Sequence, residues 1–255
     1  MKAESLAIPN QPQIHSPWRE IQATFREVIA DYRFQSATEH PIIIDAGANI
    51  GLSTLFFKWQ YPKSKIIAIE PSPDSFYLLR QRVNRWKLTN VDLIPAALDE
   101  NIGQRNLFIK RYRSSPFSRG GSACDTFFPW EWHKSGECLQ VSVPTIPLSR
   151  IVSEAATANG KVDLLKIDIE GNELTVLREA ETQLPQVDQI IAETHGFAIG
   201  KEGTKEIINL LTRNYFSVRM YEKLKAPLRR RIRIKDAINQ ENGTFMLRAQ
   251  KTLST

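Results

Sequence analysis

From Pro41 onward the chain alternates short β-branched runs with longer amphipathic stretches, a rhythm that admits few folds. The runs are Ile42 to Asp45, Lys65 to Glu70, Val91 to Ala96, Val162 to Asp168 and Val187 to Glu193. Helical spacing fills about 51–60, 73–87, 171–181 and 204–213. Such βαβ units predict a doubly wound α/β domain, with a mostly parallel sheet and helices on both faces. Phe216 to Glu222 and Thr244 to Arg248 suit an antiparallel edge. Residues 1–40 read as an arm holding Pro9, Pro12 and Pro17, then a covering helix on Trp18, Ile21, Phe25, Val28, Ile29 and Tyr32. The domain proper is expected over 41–255.

One stretch breaks the rhythm. Between about 110 and 138 lie Arg111, Arg113, Phe117, Arg119, Phe127, Phe128, Trp130 and Trp132, with paired glycines at 120 and 121. A long irregular insertion in a compact domain is commonly a functional loop, and the aromatic density favours that reading. Cys124 and Cys138 match neither a disulfide framework nor paired zinc-ligand spacing. No apolar run approaches the roughly 20 residues that span a bilayer, so a cytoplasmic protein with no membrane span is expected. The net charge of +6 favours acidic partners without demanding nucleic acid. The basic run from Arg229 to Lys235 reads as a solvated face or, from Ile232 and Ile234, an edge strand.

The chemistry concentrates at strand ends. The first run ends in Asp45-Ala46-Gly47-Ala48-Asn49-Ile50-Gly51, a carboxylate followed by a turn through two glycines into a helix. Gly47 permits a tight turn, and Gly51 permits close approach of backbone to a ligand. The spacing is G-x-x-x-G rather than the G-x-G-x-x-G of dinucleotide sites. Asp45 would repel a pyrophosphate, and suits a ligand with a cationic amino-acid end. About twenty positions on, the second run ends in Glu70, placed to accept hydrogen bonds from both ribose hydroxyls. Pro71 stops that strand, and Ser72 or Asp74 caps the next helix.

These segments, with Ala96-Ala97-Leu98, Val143 to Leu148, Leu165 to Glu173 and Ala192-Glu193-Thr194-His195, resemble the FkbM family of class I methyltransferases over about residues 41–197. The resemblance implies a seven-stranded, Rossmann-like class I fold and S-adenosylmethionine as methyl donor. It also implies O-methylation of a small-molecule, natural-product or glycan hydroxyl. Carried over by position, the cofactor site takes Asp45, Gly47, Asn49, Gly51 and Glu70, flanked by Pro71 and Ser72, with Ala97 beside the adenine. Thr145-Ile146-Pro147-Leu148 departs from the family, which carries an acidic residue before the leucine.

In a doubly wound sheet the ends of the first, fourth and fifth strands are neighbours, so Asp45 to Asn49, Lys166 to Glu170 and Glu193 to His195 are expected to converge. A hydroxyl nucleophile loses its proton as it is methylated, and His195 is the first candidate for the general base. Asp168 is expected to face donor or acceptor. Lys166, two positions earlier, reads as a depressed-pKa base or, in the commoner arrangement, as a buried lysine paired with a carboxylate such as Glu193. Glu173 reads as a helix-entrance acid. Asp168, Glu170, Glu193 and His195 could take a divalent cation, though no spacing compels one and no metal is predicted. Two alternatives stand beside these expectations. A base-methylating enzyme is disfavoured because Asp168-Ile169-Glu170-Gly171 replaces an Asn/Asp-Pro-Pro-aromatic loop, which leaves ribose methylation of nucleic acid; the other is a binding protein that retains the fold.

Overall fold

The computed structural model describes residues 28–110, 138–157, 160–223, 229–234, 236 and 243–252. The elements run β1 (Ile42–Ala46), α1 (Leu52–Gln60), β2 (Lys65–Ile69), α2 (Pro73–Arg85), β3 (Val91–Ile94), β4 (Ala97–Leu98), β5 (Gly103–Lys110), β6 (Cys138–Ile146) and α3 (Leu148–Ala156). They continue with β7 (Leu164–Ile167), α4 (Glu173–Glu179), β8 (Gln189–His195), α5 (Gly196–Arg213), β9 (Phe216–Lys223), β10 (Arg229–Ile232) and β11 (Thr244–Lys251). The main sheet has the order β10-β9-β11-β8-β7-β1-β2-β3. Its β3-β2-β1-β7-β8 half is parallel throughout, and β11 pairs antiparallel with both β8 and β9. The doubly wound α/β class expected from the alternation is therefore present. An eighth strand, β10, adds to the expected seven, and it lies in the basic run with Ile232 opposite Met220.

Strands β1, β2 and β7 are buried on both faces, which is why they read as mostly apolar runs rather than alternating ones. Ile42, Ile44 and Ala46 of β1 pack with residues of α3, α4 and α5. Ile43 points the other way, toward Phe56 and Phe57 of α1, Leu79 of α2, and Val28, Tyr32 and Phe34 of the lead-in. Because side chains alternate along a strand, Asp45, Lys166 and Glu193 fall on this second face, after Ile43, Leu164 and Ile191. The lead-in is held there by Arg248 of β11, which donates to the carbonyls of Asp31 at 2.7 Å and Arg33 at 2.6 Å, where the helical turn 28–32 ends. The rest of the expected arm and covering helix, residues 1–27, lies outside the described residues.

The periodicity missed two elements. One is α3; the other is a hairpin of β5 and β6, whose register runs from Gly103 opposite Thr145 to Lys110 opposite Cys138. Gln104, Arg105, Asn106 and Ser142 make these strands look polar, and only Leu107, Ile109 and Val143 are buried in a small core of their own with Ala97. The aromatic and basic residues between Lys110 and Cys138 lie outside the described residues.

Two glycines shape the turn after β1. Gly47 has φ +76°, and a Cβ there would meet the Asp168 carbonyl oxygen at 1.8 Å. Gly51, the N-cap of α1, has φ +89°, and its nearest obstacle is the flexible Leu79 Cδ1 at 2.8 Å. Gly47→Ala is expected to cost about 3 kcal/mol or more, from strain plus an unyielding backbone clash. Gly51→Ala is expected to cost less, about 1–3 kcal/mol, because a side chain can move aside. Urea unfolding of both variants checks the ranking; equal losses would mean that the strand-end backbone gives way at Asp168.

Candidate functional site

The loop between β1 and α1 is held from two sides. The Gly47 and Ala48 amides donate to the Ile69 carbonyl at 2.9 and 3.0 Å, which seats the loop over the end of β2. From β7, the Lys166 ammonium donates to the Ala46 and Gly47 carbonyls at 3.1 and 2.7 Å and forms a 3.4 Å ion pair with Asp45. Asp45 is fully buried, and its other oxygen accepts hydrogen bonds from the hydroxyls of Ser53 and Thr54, both at 2.7 Å. The carboxylate thus ties the first turn of α1 to β1. Two expectations are corrected here. Asp45 does not reach a ligand's cationic end, because its oxygens are turned inward; and the carboxylate paired with Lys166 is Asp45, which lies opposite it in the β1–β7 register, rather than Glu193.

An open cleft of about 670 Å³ lies over the carboxyl ends of β1, β2 and β7, lined by Gly47, Asn49, Glu70, Pro71, Ala97 and Asp168 among others. Five of the expected cofactor residues therefore share one cavity, while Asp45, Gly51 and Ser72 stand behind it. Glu70 accepts the Asn49 amide on Oε2 at 2.7 Å and the Ser72 amide on Oε1 at 2.8 Å. The two amides fix the carboxylate at the end of β2, at the wall of the cleft. Ser72 is the N-cap of α2, yet its hydroxyl makes no cap bond; Pro73 at the first helical position and the Glu70 contact set the turn instead. Asn172, Ile169 and Leu98 also line the cleft and were not anticipated. Asn172 is oriented by its side-chain amide, which donates to the Leu98 carbonyl at 2.9 Å.

Beyond Gly47 the cleft meets a group of acids around one imidazole. His195, the last residue of β8, presents Nδ1 to Glu173 Oε1 at 2.8 Å. Its Nε2 lies 3.3 Å from Glu170, 3.8 Å from Glu193 and 4.0 Å from Asp168. Glu173 Oε1 also accepts the Gly171 amide at 3.0 Å, so this acid orients the imidazole as well as stabilising its helix entrance. Burial alone would lower the His195 pKa, but the charge and hydrogen bond of Glu173, with Glu170 and Asp168, override it and push the value up to about 10. A shift in that direction favours the imidazolium near neutral pH. Glu170 moves to about 7, driven by burial and by Asp168, Glu193 and Glu173, and opposed by His195. Its backbone carries φ +55°, an uncommon conformation for a residue with a side chain and one that tends to occur at functional sites. Asp168 Oδ2 accepts the Tyr32 hydroxyl at 2.8 Å, a contact no local pattern marks because Tyr32 reads as one apolar position of a helix.

The expected convergence of three strand ends is thus present, with Tyr32 and Glu173 added. Asp168, Glu193 and His195 each offer one atom within 4.8 Å of the others, a spacing that one cation could share. Such an ion would displace the proton from the imidazole.

The sign of the His195 shift carries a consequence for stability. The folded value lies above the ordinary 6.5, so the stabilisation is complete below about pH 6.5 and is lost as pH rises toward about 10. Urea midpoints are expected to fall across that window in the wild type, and less steeply in His195→Gln. Parallel curves for the two proteins would remove the imidazolium from the site.

A family model described as "Methyltransferase FkbM domain" matches residues 45–218. Methyltransferase sdnD of Sordaria araneosa is 29% identical over 225 residues, covering 74% of this chain and 84% of its own. The 31-O-demethyl-FK506 methyltransferase FkbM of Streptomyces tacrolimicus is 28% identical over 243 residues, covering 84% and 89%. The hexuronic acid methyltransferase AglP of Haloferax volcanii is 25% identical over 188 residues, covering 74% and 70%. Among solved structures, the FkbM methyltransferase of Methylobacillus flagellatus superposes with a TM-score of 0.51 at 14% identity, over 87% of this chain but only 47% of that one, so it bears on the fold alone.

Proposed function

Because the chain belongs to the FkbM family of methyltransferases, we propose that it uses S-adenosylmethionine to methylate a hydroxyl of a small-molecule, natural-product or glycan acceptor. One observation carries this reading: a single cleft runs from Glu70, suited to a ribose, past Gly47 to a group of carboxylates around an imidazolium. The fit to the cofactor rests on the donor set. Glu70 places a carboxylate at the end of β2 where a ribose would lie, Ala97 offers a small apolar wall, and no phosphate-binding cation lines the cavity among the described residues. When bound, S-adenosylmethionine supplies a methyl group on a cationic sulfur.

Glu170, which lines the cleft beside Asp168, would take the proton of an acceptor hydroxyl held there. Its pKa near neutrality is the range in which a general base is both deprotonated and basic enough to act. The His195 imidazolium, 3.3 Å away, stabilises the Glu170 carboxylate before the proton arrives. Two relatives carry acceptors in their names, 31-O-demethyl-FK506 and a hexuronic acid, and they support a natural-product or glycan acceptor here.

Calorimetry with S-adenosylmethionine is expected to give saturable binding, weakened roughly 10- to 100-fold in Glu70→Ala, the size of a lost charge-assisted hydrogen bond. Heat evolved with NADH and none with S-adenosylmethionine would overturn the cofactor. Glu170→Gln is expected to leave that affinity within about twofold and to lower turnover by about 10² to 10⁴-fold. Undiminished turnover in Glu170→Gln would remove it as the base.

A further inference from the structure

Tyr32 lies before the stretch that matches the family model, in the lead-in rather than the strands, yet it reaches the centre of the site. The residue is 5% exposed, its ring is tilted against Phe57 at 6.4 Å between centroids, and the Lys166 ammonium stands 5.1 Å from the ring centre. Its hydroxyl donates to Asp168 Oδ2 at 2.8 Å, while Asp168 Oδ1 lies 4.0 Å from His195 Nε2. Burial, then the charges of Asp168 and Glu193, raise the phenol pKa well above its usual value, so the hydroxyl stays a donor. The lead-in is anchored independently of this contact: Arg248 grips the Asp31 and Arg33 carbonyls, Gln189 donates to the Gln35 carbonyl at 2.6 Å, and the Ser36 hydroxyl donates to Asp163 at 3.0 Å. The phenol is therefore delivered to Asp168 on a clamped strap.

Asp168 occupies one end of the cleft and Glu70 the other, with Gly47 between them. The Gly47 amide binds the carbonyl of Ile69, next to Glu70, and its α-carbon abuts the Asp168 carbonyl. A nucleoside whose ribose meets Glu70 thus extends its far end toward Asp168. That end of the methyl donor carries an α-ammonium group, and a cation entering a half-buried site needs a carboxylate partner. Asp45, the carboxylate nearest in sequence to the glycine turn, is consumed by Ser53, Thr54 and Lys166.

We propose that Tyr32 is a positioning residue that holds the Asp168 carboxylate toward the cleft, where it receives the α-ammonium group of the methyl donor. This rests on the reading of the cleft as an S-adenosylmethionine site. The geometry makes the phenol act only through Asp168: removing it lets the carboxylate swing toward Lys166, 4.0 Å from the same oxygen.

Calorimetric titrations with two nucleosides separate this role from plain packing. S-adenosylhomocysteine has the amino-acid end and 5′-methylthioadenosine lacks it. In Tyr32→Phe, which retains the ring, the affinity for S-adenosylhomocysteine is expected to fall about tenfold, the size of one charge-assisted contact, while that for 5′-methylthioadenosine stays within about twofold. Asp168→Asn is expected to show the same selective loss, and the double variant no more than Asp168→Asn alone. Unchanged affinity for S-adenosylhomocysteine in Tyr32→Phe, an equal loss for both nucleosides, or additive losses in the double variant would each overturn the inference. A wild-type protein that binds neither nucleoside would overturn the cofactor reading and this inference together; one that binds both, with no selectivity in the variant, would overturn only the role of Tyr32.

Discussion

The Lys166 ammonium is the point on which the site is assembled. A buried cation is costly unless its hydrogen-bonding capacity is met, and here two loop carbonyls and the Asp45 carboxylate meet it. In meeting it they draw the end of β1, the glycine turn and the end of β7 into one rigid corner. Asp45 extends the corner to the first turn of α1 through Ser53 and Thr54, so the helix starts at a defined place without a side-chain cap of its own. The turn can pass so close to β7 only because Gly47 has no Cβ where the Asp168 carbonyl stands.

Around this corner the charges are unevenly spread. Glu170, Glu173, Glu193 and Asp168 face one imidazole; their charge raises the His195 pKa against its burial, while burial together with the neighbouring acids makes Glu170 reluctant to ionise. Neighbouring groups are thereby separated in role: a permanent cation, an acid titrating near neutrality, and a carboxylate steadied by a phenol. Environment alone divides them, since nothing in the side-chain types does so.

Much of the frame was legible in the chain. The run from Ile42 to Ile44 is buried on both faces and so apolar, and the runs at Lys65 and Val162 are mostly apolar for the same reason. The helix on 51–60 shows its start in Gly51. The β5–β6 hairpin was not legible, because its strands bury one thin face and their outward residues, Gln104, Arg105 and Asn106, carry the composition of a loop. Glu70 was readable as a strand-end carboxylate, and the structure adds that two backbone amides orient it at the cleft.

The sequence by itself determined the doubly wound sheet, the glycine turn and the strand ends at which polar residues gather, because periodicity and turn chemistry act over a few neighbouring positions. Tertiary structure decided what each polar residue does. Asp45 and Asp168 look alike on the page, yet one is sealed against Ser53, Thr54 and Lys166 while the other lines the cleft. Tyr32 reads as a core aromatic until it meets a carboxylate 136 positions away. His195 reads alone in the sequence, and only the fold sets four acids around it. Burial and charge are sums over everything nearby in space, and residues so distant along the chain become neighbours only when the sheet closes.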